Sequence, residues 1–97
     1  MQIIKPIKIT LSSLMAMKSE FEKEKDIDAV KECDLNISLF EKVSSLFKSK
    51  ESEVYGILRG TPRMEYYMHL SPDDFLQEKE FVEIFNEYGI SANIQKN

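Results

Sequence analysis

Two short segments rich in strand-forming residues, Val54–Arg59 and Met64–Leu70, constrain the fold of this chain most strongly. Segments of this length and composition, bounded by glycine and proline, are typical of β-strands. Gly60–Pro62 lies between them and predicts a hairpin loop of about three to four residues. The sequence therefore predicts two strands in direct succession, joined as a hairpin.

A strand and a helix are predicted at the start of the chain. Apolar residues alternate with polar ones over residues 7–11, which indicates a strand with one buried face. Ser12 or Ser13 can cap a helix whose apolar residues recur at helical spacing as far as Phe21. The charged stretch that follows leaves open whether this helix continues or restarts at Asp26.

A second, shorter helix is expected before the hairpin. Residues 34–36 are typical of a break, and Ser38 with Glu41 matches a capping box, in which each side chain satisfies the other residue's backbone N–H. The apolar stripe of this helix consists of Leu39, Val43, Leu46 and Phe47.

The strongest local signal follows the hairpin. Residues 71–74 supply a serine cap, a proline for the first helical position and two aspartates for the positive end of the helix dipole. We expect Gly89 to end this helix, and alternation over residues 90–94 predicts a final strand.

With the short second helix set aside, the element order is β-α-β-β-α-β, which is the order of the ferredoxin-like fold. We expect a single α+β domain over residues 1–97, with a four-stranded antiparallel sheet and the helices packed on one face. A length of 97 residues and an apolar fraction of 42% fit one globular domain.

Charge and cysteine content narrow the function classes. The net charge of −4 disfavours nonspecific attraction to nucleic acid or to an anionic membrane, and no segment approaches the roughly 20 apolar residues of a spanning helix. The single cysteine, Cys33, cannot form an internal disulfide and favours the cytoplasm. One histidine and one cysteine cannot supply a usual zinc site, so we expect no metal. The sequence contains no glycine-rich phosphate loop, and we expect no cofactor.

Acidic side chains at helical spacing are the candidate partner-binding groups. The predicted set is Glu20, Glu24, Asp28, Asp73, Asp74, Glu80, Glu83 and Glu87. The first three are expected to form one row, with about 6 Å between successive residues along the helix axis. Each strand of DNA carries a phosphate about every 3.4 Å, so such a row matches roughly every second phosphate. The simpler alternative is that these charges only solvate the outer faces of helices, because lysines are interspersed with the first row.

Other chemistries find less support in the residues. A general acid–base pair needs a pocket that separates two pKa values, and solvated helix acids lack one. No flanking motif supports a nucleophile pair of Cys33 and His69. Tyr55 and Tyr67 suggest a sheet that stacks RNA bases, but the basic surround of such a sheet is missing. We expect His69 on the exposed sheet face together with Tyr67 and Glu65.

Taken together, the length, the lone domain, the pattern Glu20-x-Glu22-x-Glu24-x-Asp26-x-Asp28 and the acidic helix opened by residues 71–74 resemble phage-encoded anti-CRISPR proteins. Within that group the chain resembles the small acidic inhibitors of the type I-F surveillance complex that act as DNA mimics. The resemblance implies that carboxylates occupy lysines and arginines of the DNA-binding subunits of this ribonucleoprotein. It also implies a location in the cytoplasm of a bacterial host and no direct binding of nucleic acid.

We therefore expect a non-enzymatic inhibitor that docks acidic helix faces on a basic DNA-binding surface and blocks the binding of target DNA. Tyr55, Tyr67 or Phe40 are candidates for the apolar contacts that add affinity. Two alternatives stay open: an immunity protein that neutralises a basic nuclease toxin, and a small-ligand or enzyme domain on the same fold.

Overall fold

The structure, a computed structural model, describes residues 6–58 and 64–97. The elements in chain order are β1 (Ile7–Lys8), α1 (Leu11–Lys23), α2 (Ile27–Ser45), β2 (Glu53–Leu58), β3 (Met64–Leu70), α3 (Pro72–Phe75), α4 (Glu78–Tyr88) and β4 (Ala92–Lys96). β2 and β3 pair antiparallel, as the predicted hairpin requires. The predicted loop at Gly60–Pro62 lies outside the described residues.

The four strands lie side by side in chain order, β1-β2-β3-β4. β1 is antiparallel to β2, but β4 runs parallel to β3. The helices α3 and α4 form the connection between β3 and β4, and such a crossover is what parallel neighbours require. The expected antiparallel sheet is therefore wrong, and the sheet is mixed rather than that of a ferredoxin-like fold. Alternation over residues 90–94 predicts a strand but carries no information about its direction.

The helices cover one face of the sheet, and the hydrophobic core lies between the helices and the sheet. Alternation along β2 and β3 directs Val54, Tyr66 and Met68 into this core, where Leu39 of α2 and Phe81 of α4 meet them. The expectation of a mixed α+β domain with helices packed on the sheet is confirmed. The opposite face of the sheet carries the other half of each strand's side chains.

The first helix begins two to three residues earlier than predicted. Thr10 is its N-cap: the Thr10 side chain accepts a hydrogen bond from the Ser13 N–H, and the Ser13 hydroxyl accepts one from the Thr10 N–H. Both partners of a capping box are thus present. Leu11, expected in the strand, is the first residue of α1 instead.

The second helix is continuous through residues 34–36, where a break was expected. The buried Asn36 side chain donates to the Glu32 carbonyl oxygen at 2.8 Å and accepts from the Tyr66 hydroxyl at 2.6 Å. These bonds satisfy a polar residue inside the helix, so it does not compete with the helical backbone. The predicted capping box of Ser38 and Glu41 is also wrong, because both residues lie in the middle of α2.

The helical segment after the hairpin is divided in two. Ser71 caps α3 as predicted, since its side chain accepts a hydrogen bond from the Asp74 N–H. Leu76 and Gln77 separate this single turn from α4. Gly89 ends α4 in the left-handed conformation, with φ of 65°, which confirms the predicted stop.

Candidate binding surface

The first predicted row of acids does not exist. α1 ends at Lys23, and Lys25 adopts a left-handed φ of 57° before α2 begins at Ile27. Glu20 therefore belongs to α1, Glu24 caps its C-terminus and Asp28 lies in the first turn of α2. The three side chains are exposed but share no helix face, because helical spacing holds only within one uninterrupted helix.

Asp74, one of the predicted partner-binding acids, is fully buried. Its carboxylate accepts hydrogen bonds from the Lys48 N–H at 2.7 Å, the Ser49 N–H at 3.3 Å and the Ser52 hydroxyl. Burial acts to raise the pKa of this carboxyl, but these donors and Ser71 outweigh burial and hold the pKa below its usual range. Asp74 thus ties the segment between α2 and β2 to the start of α3, and it cannot face a partner.

The other predicted partner-binding acids of the last helical segment are exposed. Glu80, Glu83 and Glu87 follow each other at spacings of three and four residues and form what we call the acidic face of α4. Glu87 pairs with Lys42 of α2 at 3.2 Å. Within the described residues, neither Glu80 nor Glu83 forms an ion pair, and the same holds for Asp73 of α3. Charge on this surface is therefore only partly neutralised.

A cluster of polar groups fixes α4 against α2. The Ser38 and Tyr88 hydroxyls lie 2.6 Å apart, and the Lys42 ammonium lies 5.1 Å from the centre of the Tyr88 ring. Hydrogen bonds to Glu87 and Tyr88 raise the pKa of Lys42, so this amine stays protonated. A lysine acts as a general base only when it is neutral, so the protonated Lys42 does not fill that role for Ser38. The cluster orients α4 and its acidic face.

The face of the sheet opposite the helices forms an open depression of about 650 Å³, which we call the open sheet face. Its lining includes Tyr55, Tyr67, His69 and Glu53. Tyr55 and Tyr67 are register partners on neighbouring strands, and the Tyr55 and His69 rings meet edge to face at 5.6 Å. The structure confirms that His69 lies on the same face as Tyr67, as its position in the strand predicted.

Both tyrosines of the open sheet face hydrogen-bond to carboxylates on their own strands. The Tyr67 hydroxyl donates to Glu65 at 3.0 Å, and the Tyr55 hydroxyl donates to Glu53. The bond to Glu53 raises the pKa of Tyr55, which keeps the phenol in its neutral, donating form. This face therefore combines partly exposed ring surface with negative charge.

The structure separates the two residues of the conceivable nucleophile pair. Cys33 is buried in α2, on the helix side of the sheet, whereas His69 lies on the open sheet face. Burial raises the pKa of the Cys33 thiol, which disfavours the reactive thiolate. Within residues 6–58 and 64–97, no three His, Cys, Asp or Glu side chains are grouped so that they could hold a metal ion. None of the helices described there has the length and apolarity needed to span a bilayer.

Comparison of the chain with known protein families, with curated proteins and with solved structures gives no significant match. The functions proposed below therefore rest on the acidic face of α4 and the open sheet face.

The Asp74 carboxylate makes folding stability dependent on pH. We expect Asp74→Asn to lower the free energy of unfolding at pH 7 by about 2–4 kcal/mol, because several donors lose a charged acceptor. A carboxyl whose pKa is depressed on folding contributes stability above its unfolded pKa of about 3.9, and that contribution is lost as pH falls through the folded pKa. Urea unfolding at several pH values measures this effect.

The difference in stability between wild type and Asp74→Asn should shrink as pH falls below about 4. Asp73→Asn is the matched control, since Asp73 is the exposed neighbour in the same helical turn. A difference that stays constant from pH 7 to pH 2, or an equal loss in both variants, would contradict the role given to Asp74.

Proposed function

We propose that this protein is a non-enzymatic binding protein that docks the acidic face of α4 on a basic surface of a macromolecular partner. The observation that carries the proposal is the exposure of Glu80 and Glu83, with no ion pair to any other described residue. Exposed carboxylates without an ion-pair partner attract a cationic surface and orient it during encounter. Their separation from Asp74, which serves the fold, leaves them available for contact.

The proposed partner surface is one that otherwise binds DNA. Glu80 and Glu87 are one heptad apart, which spans about 10 Å along the helix axis. That length corresponds to about three phosphates of one DNA strand. The acidic face of α4 therefore mimics a smaller stretch of DNA than the eight predicted acids would if they formed one surface. They do not form one surface, because they lie on separate elements or, for Asp74, in the interior.

We propose that an exposed leucine near the start of α4 supplies an apolar contact to the same partner. Leu76 lies between α3 and α4 and is 85% exposed, and the exposed acids Asp73 and Glu80 lie three residues before it and four residues after it. An apolar anchor within a charged rim is the usual composition of a protein interface. Phe40, one of the residues expected to supply such contacts, instead packs against the core.

The resemblance to DNA-mimicking anti-CRISPR proteins gives this proposal its specific form. The partner would be the DNA-binding subunits of a type I-F surveillance complex, and the effect would be loss of target DNA binding. An immunity protein that covers a basic nuclease toxin would use the same chemistry. The identity of the protein retained by this chain from a host lysate separates the two: a multi-subunit ribonucleoprotein supports the first and a single nuclease supports the second.

Removing two unpaired charges should weaken the inhibition. We expect the double variant Glu80→Gln and Glu83→Gln to raise the concentration that halves target DNA binding by the type I-F complex about fivefold, since each exposed pair is worth roughly 0.2–1 kcal/mol. Added salt should weaken the wild type more than this variant. An electrophoretic mobility assay with the purified complex and labelled target DNA measures both effects.

The matched control is the double variant Glu22→Gln and Glu41→Gln, which changes the net charge equally at exposed positions of α1 and α2. It should leave inhibition within about twofold of wild type, because only long-range, salt-screened attraction is lost. Equal weakening by both variants would mean that net charge, and no particular face, governs binding. No inhibition by the wild type would exclude this complex as the partner.

Leu76 provides a second, uncharged test of the same surface. Leu76→Ala should weaken binding to the partner about tenfold, as expected when an apolar anchor is truncated. The midpoint of thermal unfolding should stay within a few degrees of wild type, because a side chain that is 85% exposed contributes little to the core. Ile27→Ala, at another highly exposed apolar position, is the control. Unchanged affinity in Leu76→Ala would place the contact elsewhere.

A further inference from the structure

The open sheet face is a second binding surface whose chemistry differs from that of the acidic face of α4. We propose that it binds arginine side chains of a protein partner, with the guanidinium stacked on Tyr55 or Tyr67 and paired with Glu53. This inference does not rest on the function proposed for α4, because that helix packs on the other side of the sheet.

The strand register places two tyrosine rings side by side on the open sheet face. Tyr55 of β2 and Tyr67 of β3 are direct partners across the strands, and both residues are partly exposed. His69 contacts the Tyr55 ring at an interplanar angle of 88° and so fixes that ring from one side. Tyrosine faces carry the negative side of the ring quadrupole, and arginine is the side chain that most often binds there.

The charge comes from Glu53, which is a register partner of His69 at the same end of the depression. One carboxylate oxygen, Oε2, accepts the hydrogen bond from the Tyr55 hydroxyl. Glu53 forms no ion pair with any described residue, and Oε1 can accept a further donor. The N–H donors of a guanidinium lie in the plane of the group. A guanidinium stacked on the Tyr55 ring would therefore direct these donors towards Oε1 of Glu53.

The charge of the depression favours a cationic protein segment over a nucleic acid as the bound partner. Glu53 is negative, and no lysine or arginine is present among the described residues that line the depression. Lys8 of β1 is the register partner of Tyr55, so it lies on the same sheet face, at the edge of the sheet and outside the lining of the depression. Surfaces that stack single-stranded nucleic acid need a basic groove around the rings to hold phosphates. A nucleic acid would meet a carboxylate here, whereas a cationic segment of a protein would meet an attractive charge.

Arginine is favoured over lysine by the geometry. The guanidinium is planar, stacks on aromatic rings and can pair with a carboxylate edge at the same time. An ammonium ion is a compact, strongly hydrated charge and can satisfy only one of these contacts well. The proposal therefore predicts a preference between two cations of equal charge.

The test is a titration of ¹⁵N-labelled protein with the acetylated and amidated peptide Gly-Arg-Gly-Arg-Gly, followed by the shifts of backbone amide signals. Signals of β2 and β3 around Tyr55 and Tyr67 should shift in a saturable way. The lysine analogue should bind about threefold or more weakly, and the citrulline analogue, which lacks charge, should not bind measurably.

Variants then separate the charge from the rings. Glu53→Gln should weaken peptide binding about threefold or more, since it removes the charge and keeps the shape. Tyr67→Leu should weaken it similarly, whereas Tyr67→Phe, which keeps the ring, should retain binding. Glu83→Gln is the control on the acidic face of α4 and should leave the peptide shifts of β2 and β3 unchanged.

Three results would overturn the proposal. The first is an absence of peptide shifts on β2 and β3. The second is equal binding of the peptide by wild type and Glu53→Gln. The third is a stronger response of the same signals to single-stranded oligouridylate than to the arginine peptide, which would assign the face to nucleic acid.

Discussion

The buried carboxylate of Asp74 is the contact on which the arrangement of the chain depends. A charged group in the interior is tolerated only when hydrogen bonds replace its hydration, and the Lys48 and Ser49 backbones and the Ser52 hydroxyl supply them. These donors lie 22 to 26 positions away in the sequence. One side chain thus fixes the start of the β3-to-β4 crossover against the segment that leads from α2 into β2. That crossover sets the direction of β4 and carries the acidic face of α4.

The two exposed surfaces of functional interest follow from this arrangement. The helices cover one side of the sheet, so the acidic face of α4 points away from the core, and the tyrosines of the open sheet face remain accessible on the other side. Both surfaces are anionic in the described residues, and one adds ring surface to the charge. Both proposed functions use this negative charge to attract a basic partner.

Local signals in the sequence were sufficient for part of this structure. The hairpin strands, the Ser71 cap and the Gly89 stop depend on neighbouring residues, and all were predicted. The predictions were wrong where a contact between residues distant in sequence determined the local structure. Tyr66 satisfies Asn36 from 30 positions away, so the expected break in α2 is absent. Partners distant in sequence likewise turn Asp74 from an apparent surface acid into an interior one.

The acidic row failed for a different reason. A single left-handed residue, Lys25, interrupts the helix, and no glycine or proline marks that position. The spacing of Glu20, Glu24 and Asp28 therefore predicted a face that the backbone does not form. The exposure of Leu76 had no sequence signal either, because the predicted helix ran through it and gave no indication of the break before α4.

Hydrogen–deuterium exchange of the chain, alone and in complex with the partner captured from a host lysate, tests the central claim most directly. Binding through the acidic face of α4 predicts slower exchange over residues 73–88 in the complex, with α1 unchanged. Slower exchange confined to α1 and the first turns of α2, with residues 73–88 unaffected, would contradict it.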